Sequence, residues 1–352
     1  MSIYSKHIVL SLSTITIAVG VVAFLANKSA GMMEEETKFD RKMTNINLIL
    51  SSVTPRSLMM TAVAGVKDNR LYFQTVYPNK VLVTDFDFKN HVEKTLNVPS
   101  DDTTASMFTL LLKDNGLTIA ASNTPALFAA DEGSASTRMY HFPQRSFTRV
   151  VMIAPDSYVF RGRDTAVKTK DQTFFKGSPA AGITGREDNV SKKVGDYGMS
   201  TDGILDYDKT SNLIVYVPFY GNQFICLDTN LHKKYEVTTV NDKSKEINSI
   251  GVTDAQGQKM VTNVGPKRLL NTYSNVHDGT LYIKSDARSQ LQPAATFANN
   301  STIDMYDIAS GRYKGSFYIP DHQGEKPFSF RVTDQSVIAL YKSSAVNWHI
   351  NN

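Results

Sequence analysis

The stretch RLYFQTVYPNKVLVTDFDF, Arg70 to Phe88, decides the fold, because its residue pattern recurs 143 residues later in LIVYVPFYGNQFICLDTNL, Leu213 to Leu231. In each copy an alternating apolar run leads to Tyr-x-Asn, and a second alternating run ends on Asp. Alternation with a period of two predicts strands, and Pro-Asn and Gly-Asn predict a tight turn between them. A four-stranded propeller blade takes ~40 to 50 residues, so this spacing is about three blades. The repeat therefore predicts an all-β propeller.

The rest of the chain divides into similar units, separated by turn signals such as Asp114-Asn115-Gly116 and His277-Asp278-Gly279. The predicted units cover about 54–99, 100–147, 148–195, 196–241 and 242–289, then two strands ending at Pro320, then a last unit over 327–350. This tally favours six blades, with five or seven as alternatives. The segment Ser178 to Lys193 has no apolar period and is predicted to be an exposed loop.

The last unit contains only three strand-like runs, so a propeller built from this chain lacks one strand at its end. The segment MTNINLIL, Met43 to Leu50, alternates and stands apart from the first unit. We predict that it supplies the missing outermost strand and ties the ring shut. Closure of this kind removes open sheet edges that would otherwise pair with other chains.

Three segments carry a resemblance to a known class of proteins: DGTLYIKSD at Asp278 to Asp286, IDMYDIASGRYKGSFYIP at Ile303 to Pro320, and DGILDYD at Asp202 to Asp208. They resemble the recurrent Asp-Gly-x-Leu-Tyr-Val hairpins of bacterial six-bladed β-propellers of the NHL or TolB-like kind. The resemblance covers about residues 43 to 350 and implies the fold, while it leaves the activity open. No YWTD box and no GH…WD pair is present, and Trp348 is the only tryptophan, whereas propellers that carry a quinone cofactor have one or more per blade.

The N-terminus predicts a membrane segment. Residues Ile8 to Ala26 are 19 in number and carry no charge, a length that nearly matches the hydrocarbon layer of about 30 Å. We predict an uncleaved signal anchor or transmembrane segment over 1–30, a polar stalk over 31–42 and the propeller over 43–352. The globular part is then expected in the periplasm or outside the cell. The alternative is a cleaved signal peptide and a secreted or periplasmic protein.

Composition excludes several function classes. The net charge is +4 and 20% of the residues are charged, so nothing requires a nucleic acid partner. The single cysteine, Cys226, lies in an alternating apolar run, which favours a buried, inert thiol. No HExxH, Gly-x-Ser-x-Gly, GxGxxG or GxxxxGK[ST] pattern occurs. We therefore predict no catalytic residues, no metal site and no cofactor.

Acidic residues at the ends of strands invite a metal or acid–base interpretation. Their recurrence at equivalent blade positions would instead spread them around the ring, where each side chain caps its own turn. These residues are Asp85, Asp87, Asp228, Asp304 and Asp307.

A basic set is the candidate ligand-binding site. Loops that enter the innermost strands rim the axial funnel of a propeller, where arginines suit an anionic or carbohydrate ligand. The set consists of Arg145, Arg149, Arg161, Arg163, Lys267 and Arg268. The alternative is that these side chains are solvated or paired with Asp156, Asp164 and Glu187.

The sequence supports two hypotheses for function. The first is a membrane-anchored, extracytoplasmic module that binds a protein, peptide or glycan, or acts as a scaffold. The second is a propeller enzyme of the hydrolase, lyase or lactonase type, with an axial funnel site.

Overall fold

The protein is described here from a computed structural model. The structure describes residues 14–25, 39–56, 60–99, 107–143, 145–164, 171–193, 195–241, 248–253, 259–264 and 269–351. The chain divides into two compact units, Met1–Lys38 and Phe39–Asn352. In the first unit, residues 14–25 form an α-helix, and the rest of the predicted 1–30 segment lies outside the described residues. No helix in the described ranges combines the length and the apolar character that a membrane span needs.

The second unit contains six four-stranded antiparallel sheets, which we call blades one to six, in agreement with the predicted count. In blades one to five the chain runs from the innermost strand to the outermost strand in order. Blade one comprises β2 (Ala62–Lys67), β3 (Arg70–Gln74), β4 (Lys80–Thr84) and β5 (Val92–Thr95). Blade two comprises β6 (Phe108–Lys113), β7 (Gly116–Ala121), β8 (Ala126–Asp131) and β9 (Arg138–His141).

The next blades follow the same order. Blade three comprises β10 (Arg145–Ala154), β11 (Ser157–Asp164), β12 (Thr173–Ser178) and β13 (Gly182–Glu187). Blade four comprises β14 (Gly203–Asp208), β15 (Leu213–Pro218), β16 (Gln223–Leu227) and β17 (Lys233–Thr238). Blade five comprises β20 (Asn271–His277), β21 (Thr280–Ser285), β22 (Asn300–Asp307) and β23 (Tyr313–Pro320), with a short helix Ala294–Ala298 before β22.

Blade six is the composite blade. It consists of β24 (Ser329–Val332), β25 (Ser336–Leu340), β26 (Ser344–Asn351) and, as its outermost strand, β1 (Asn47–Pro55) from the start of the propeller. Leu48 pairs with Ile350 and Leu50 with Trp348. The predicted closure by the N-terminal strand is therefore confirmed, although the strand runs to Pro55 instead of ending at Leu50.

Consecutive innermost strands contact one another all the way around, from β2 through β6, β10, β14 and β20 to β24 and back to β2. Six apolar clusters lie between the blades, one for each pair of neighbours. The second and third strands of each blade are covered on both faces, which explains why β7, β8, β15 and β16 have almost continuous buried apolar runs. The outermost strands β5 and β17 alternate with polar, exposed residues because one edge and much of their surface face water.

The sequence repeat corresponds to the second and third strands of blades one and four. Asn79 and Asn222 occupy equivalent turns: the Asn79 carbonyl accepts a hydrogen bond from Leu96 N, and the Asn222 carbonyl accepts one from Thr239 N. The spacing of three blades that the repeat predicted is confirmed.

The structure differs from the sequence prediction at two places. Within the segment Ser178 to Lys193, which was predicted to be a loop, residues Gly182–Glu187 form β13, the outermost strand of blade three. Small and charged residues suit an outermost strand because it buries little apolar surface. Between blades four and five, β18 (Asn248–Thr253) and β19 (Lys259–Val264) form a separate two-stranded sheet. Blade five therefore spans Asn271–Pro320 instead of 242–289.

Residues just before β1 are packed against blade five. Thr44 N donates to Ser316 O at 2.8 Å, and Ser316 N donates to Lys42 O at 2.8 Å. Arg41 makes a two-pronged ion pair with Asp304, with Nε–Oδ1 at 2.7 Å and Nη2–Oδ2 at 3.1 Å. The last residues of the predicted polar stalk, 39–42, thus belong to the propeller unit.

Candidate functional site

Two members of the predicted basic set converge on one carboxylate, Asp202, which lies just before β14. Arg149 Nη2 donates to Asp202 Oδ2 at 2.8 Å, and Arg161 Nη1 donates to Asp202 Oδ1 at 3.0 Å. Arg161 is 0% exposed and also donates to the carbonyls of Gly198 and Thr201, each at 3.0 Å. This cluster ties blade three to blade four. Arg161 reaches a ligand only if these contacts break.

The other members of the set are dispersed. Arg145 Nη1 donates to Asp164 Oδ1 at 2.7 Å, which matches one of the carboxylates named as an alternative partner. The Arg163 guanidinium lies over the ring of Tyr197, 4.8 Å from its centroid. Lys267 and Arg268 lie outside the described residues. Ligand binding by the basic set stays a prediction.

A cavity with a volume of about 450 Å³, which we call the axial channel, is lined by residues of every blade. It extends to the end of the ring where each innermost strand turns into the second strand, which we call the turn end. All six innermost strands contribute to its wall. Its lining includes Ala62, Gly65, Gln74, Thr109, Leu111, Val151, Leu205, Asp206, Asp208, Tyr273, His277, Asp278 and Arg331.

Asp206 on β14 is one of three aspartates that line this channel, with Asp208 and Asp278. Ser274 Oγ, from β20 of blade five, donates to Asp206 Oδ2 at 2.9 Å. Burial raises the pKa of Asp206 to about 6, and the Ser274 hydrogen bond and the charge of Arg331 offset only part of that effect. Asp206 therefore exchanges a proton close to neutral pH, where a surface aspartate does not.

The direction of this pKa shift has a consequence for stability. Between the ordinary value of 3.8 and about 6, native Asp206 is protonated while the unfolded chain is ionised. The loss of folding free energy that comes from ionising native Asp206 is thus absent below pH 3.8, grows between pH 3.8 and 6, and is complete above pH 6. It amounts to at most about 3 kcal/mol, and water in the channel reduces it.

Arg331 on β24 is the arginine in the channel. In the described part of the chain its guanidinium donates no hydrogen bond and makes no ion-pair contact, although its charge acts on Asp206 and Tyr273. A guanidinium has five N–H donors in a planar fork that matches a carboxylate. A partly buried guanidinium whose donors meet no protein acceptor is suited to bind an anionic group of a ligand.

Some polar side chains of the lining are already hydrogen-bonded to the protein, and others are not. Gln74 is hydrogen-bonded at both ends of its amide: Oε1 accepts from Leu110 N at 2.9 Å and Nε2 donates to Phe108 O at 3.2 Å, which joins blade one to blade two. The Thr109 side chain makes no hydrogen bond within the described residues. The channel thus combines apolar wall with charged and polar groups, among which Arg331 and the Thr109 hydroxyl have no hydrogen-bond partner within the described residues.

Contacts between blades hold the turn end of the channel in place. Lys113 of blade two donates to Asp156 of blade three at 2.6 Å. His277 Nε2 of blade five lies 2.8 Å from Asp334 Oδ1 of blade six. These contacts link neighbouring inner turns around the mouth of the channel.

The aspartates predicted to cap turns behave as expected in three cases. Asp85 accepts from Lys89 N at 2.8 Å, Asp228 from Asn230 N at 2.9 Å, and Asp307 from Ser310 N at 2.8 Å. These bonds contribute to the lowered pKa of each of the three carboxyls. Asp87 is exposed. Asp304 is different, because it lies within β22, is 2% exposed and binds Arg41.

Sequence reasoning missed Asp206 and Arg331. A usable signal was present: GILDYD and SFRV each place a charged residue in a short innermost strand whose neighbours are apolar. A charge in that position must face either a buried partner or the axis, and the sequence alone does not say which. Within the described residues, no group of three or more His, Cys, Asp or Glu side chains is arranged to hold a metal ion.

No protein-family model matches this chain, and no curated protein sequence is similar to it. Solved structures share its architecture. Virginiamycin B lyase from Staphylococcus aureus has a TM-score of 0.50 and 10% identity, covering 87% of this chain and 99% of the lyase. A DUF4221 family member from Bacteroides vulgatus has a TM-score of 0.51 and 10% identity, covering 88% and 100%. A protein from Bacteroides fragilis described as exported has a TM-score of 0.53 and 8% identity, covering 90% and 98%. At these identities the likeness shows the six-bladed propeller fold alone.

Proposed function

We propose that this propeller is a binding module that takes up a small polar molecule in its axial channel. The observation that carries the proposal is Arg331, whose donors meet no acceptor among the described residues of the chain, in a channel with the volume and lining of a small-molecule site. Arg161, by contrast, donates to carbonyl and carboxylate oxygens of three residues. The difference favours a ligand at Arg331 over a purely structural role.

The test is a thermal unfolding screen of the full chain against a panel of small carboxylates, phosphates, amino acids and sugars. A ligand at 100 times its Kd is expected to stabilise the protein by about 2.7 kcal/mol. The variant Ala62→Phe fills the channel and should abolish the effect. Its matched control is Ala135→Phe, which fills a separate pocket between blades one and two. Stabilisation that survives in Ala62→Phe and disappears in Ala135→Phe would place the site elsewhere.

A second candidate function is catalysis in the same channel, with Asp206 as the group that accepts or donates a proton. Two observations favour it: the pKa of Asp206 lies near 6, and one of the structural neighbours is a lyase by name. The distinguishing experiment is mass spectrometry of a bound ligand after incubation with the full chain and with Asp206→Asn. Conversion by the full chain but not by the variant supports catalysis, whereas recovery of an unchanged ligand in both supports binding alone.

We further propose that the propeller lies outside the cytoplasmic membrane, held there by the N-terminal segment. The uncharged stretch Ile8 to Ala26 supports this location, as does the likeness to a protein described as exported. The test is cell fractionation together with mass spectrometry of the mature N-terminus. An intact N-terminus in the membrane fraction supports an anchor, and a start near residue 30 in the soluble periplasmic fraction supports cleavage. Recovery in the cytoplasm contradicts both.

A further inference from the structure

The two opposite charges in the axial channel carry a narrower inference, which rests on the proposed binding function. Arg331 and Asp206 line the same cavity and act on each other through space, yet they form no ion pair in the described structure. We propose that the channel takes a small zwitterion, either a free amino acid or a short peptide. Its carboxylate would bind Arg331 and its ammonium group would bind Asp206.

The two charges come from different sides of the ring. Arg331 belongs to blade six, and a Cβ atom at Gly65 of blade one would lie 4.0 Å from its Nη2 atom, so the guanidinium reaches the wall that blade one forms. Asp206 belongs to blade four and is held by Ser274 of blade five. Blades one and four are three places apart in a ring of six and so face each other. A ligand that lies across the channel meets one charge at each end.

Charge balance selects the ligand class. One guanidinium neutralises a single carboxylate, whereas phosphate sites need more positive charge than one side chain supplies. The channel also contains Asp206 and Asp208, which repel a dianion. A zwitterion adds no net charge to the site and gives Arg331 and Asp206 each a partner, which lowers the cost of keeping both charges in the channel. Asp208 already accepts hydrogen bonds from the backbone N–H groups of Ser211 and Gly279.

The remaining lining suits the rest of such a ligand. Leu111, Val151 and the ring of Tyr273 form apolar wall for an amino acid side chain. Each innermost strand pairs with a neighbour on one side only, so its other backbone edge faces the axis. Those N–H and C=O groups are able to pair with a peptide bond. The volume of about 450 Å³ falls in the usual range for small-molecule sites.

The test is isothermal titration calorimetry of the full chain with the twenty L-amino acids and with glycylglycine. Matched probes with one end blocked, the N-acetyl amino acid and the amino acid amide, are titrated alongside. We expect at least one zwitterion to bind and each blocked form to bind at least tenfold more weakly. Arg331→Met should weaken binding of the intact zwitterion at least tenfold, and Asp206→Asn should do the same, because each removes a charge-assisted hydrogen bond.

Controls separate loss of a contact from loss of the fold. Arg331→Lys keeps the positive charge without the fork, so it should retain part of the affinity, and circular dichroism establishes that each variant is folded. Two results would overturn the inference. In the first, the blocked forms bind as well as the zwitterion. In the second, no zwitterion binds, although other small molecules bind and Ala62→Phe abolishes their binding. In that second case the proposed channel function survives. If no small molecule binds in the channel, both proposals fail.

Discussion

Arg41 provides the strongest test of how the ring is closed. Its side chain is 1% exposed and joins Asp304, 263 residues away in blade five, with additional bonds to Ala287 O at 2.7 Å and Ser285 Oγ at 2.9 Å. Replacing Arg41 by Met leaves the Asp304 carboxylate buried, and within the described residues only the Ser316 hydroxyl still donates a hydrogen bond to it. Removing one member of a buried ion pair destabilises a protein by about 3–5 kcal/mol. For a domain of this size we expect the melting temperature to fall by roughly 6–10 °C.

The assay is urea and thermal unfolding of the full chain, followed by circular dichroism and by the fluorescence of Trp348. Arg138→Met is the matched control, because its ion pair with Asp131 has side chains 62% and 66% exposed. An exposed pair contributes at most about 1 kcal/mol.

The double variant Arg41→Met, Asp304→Leu tests the same reasoning from the opposite direction. It removes both charges, so it should recover most of the stability that Arg41→Met loses. The reasoning is refuted if Arg41→Met unfolds within 1 kcal/mol (about the exposed-pair value) of the wild type. It is also refuted if the double variant is no more stable than the single one.

Three further predictions address the core, the thiol and the channel. Gly162→Ala should destabilise the protein by about 1–3 kcal/mol or more in urea unfolding, because the new Cβ atom would lie 1.9 Å from Ser146 O. The control is Gly185→Ala in the same blade, where the nearest atom to the new Cβ lies at 3.5 Å, so its stability should be nearly unchanged. Cys226 is buried, and burial raises the pKa of its thiol to about 11. Ellman's reagent at pH 8 should therefore label the unfolded chain and leave the native chain unlabelled. Rapid labelling of the native protein would contradict this prediction. Asp206→Asn should gain stability relative to the wild type, by at most about 3 kcal/mol, as the pH rises from 4 to 7; a difference that is constant with pH would show that Asp206 titrates normally.

The architecture could be predicted from the sequence because each blade repeats the same local signals. Period-two alternation and turn dipeptides recur at regular spacing, and the repeat at Arg70 and Leu213 gives the number of blades between its copies. The missing last strand follows from counting, since an incomplete blade leaves an open edge. Where the prediction was wrong, at β13 and at β18 and β19, the strands contain Gly, Thr, Asn and charged residues instead of alternating apolar ones. An outer strand needs little apolar surface, so its pattern is weak.

The roles of individual charged residues could not be predicted in the same way. Asp304 and Asp307 are three residues apart in one motif, yet the first is buried in a strand by an ion pair and the second caps a turn. The partner of Asp304 is Arg41, which the sequence placed in a polar stalk. A contact over 263 residues depends on the completed ring and leaves no local signal.

The number of donors that meet protein acceptors distinguishes Arg331 from the buried arginines Arg41 and Arg161. Arg41 and Arg161 are almost fully buried, and each donates to at least three different protein groups. Such residues hold blades together, because most of their donors are paired with acceptors on other segments of the chain. Arg331 is less buried and makes no protein hydrogen bond in the described part of the chain. A side chain with that much unused donor capacity adds little to the stability of the ring, and this unused capacity is what supports the proposed ligand site in the channel.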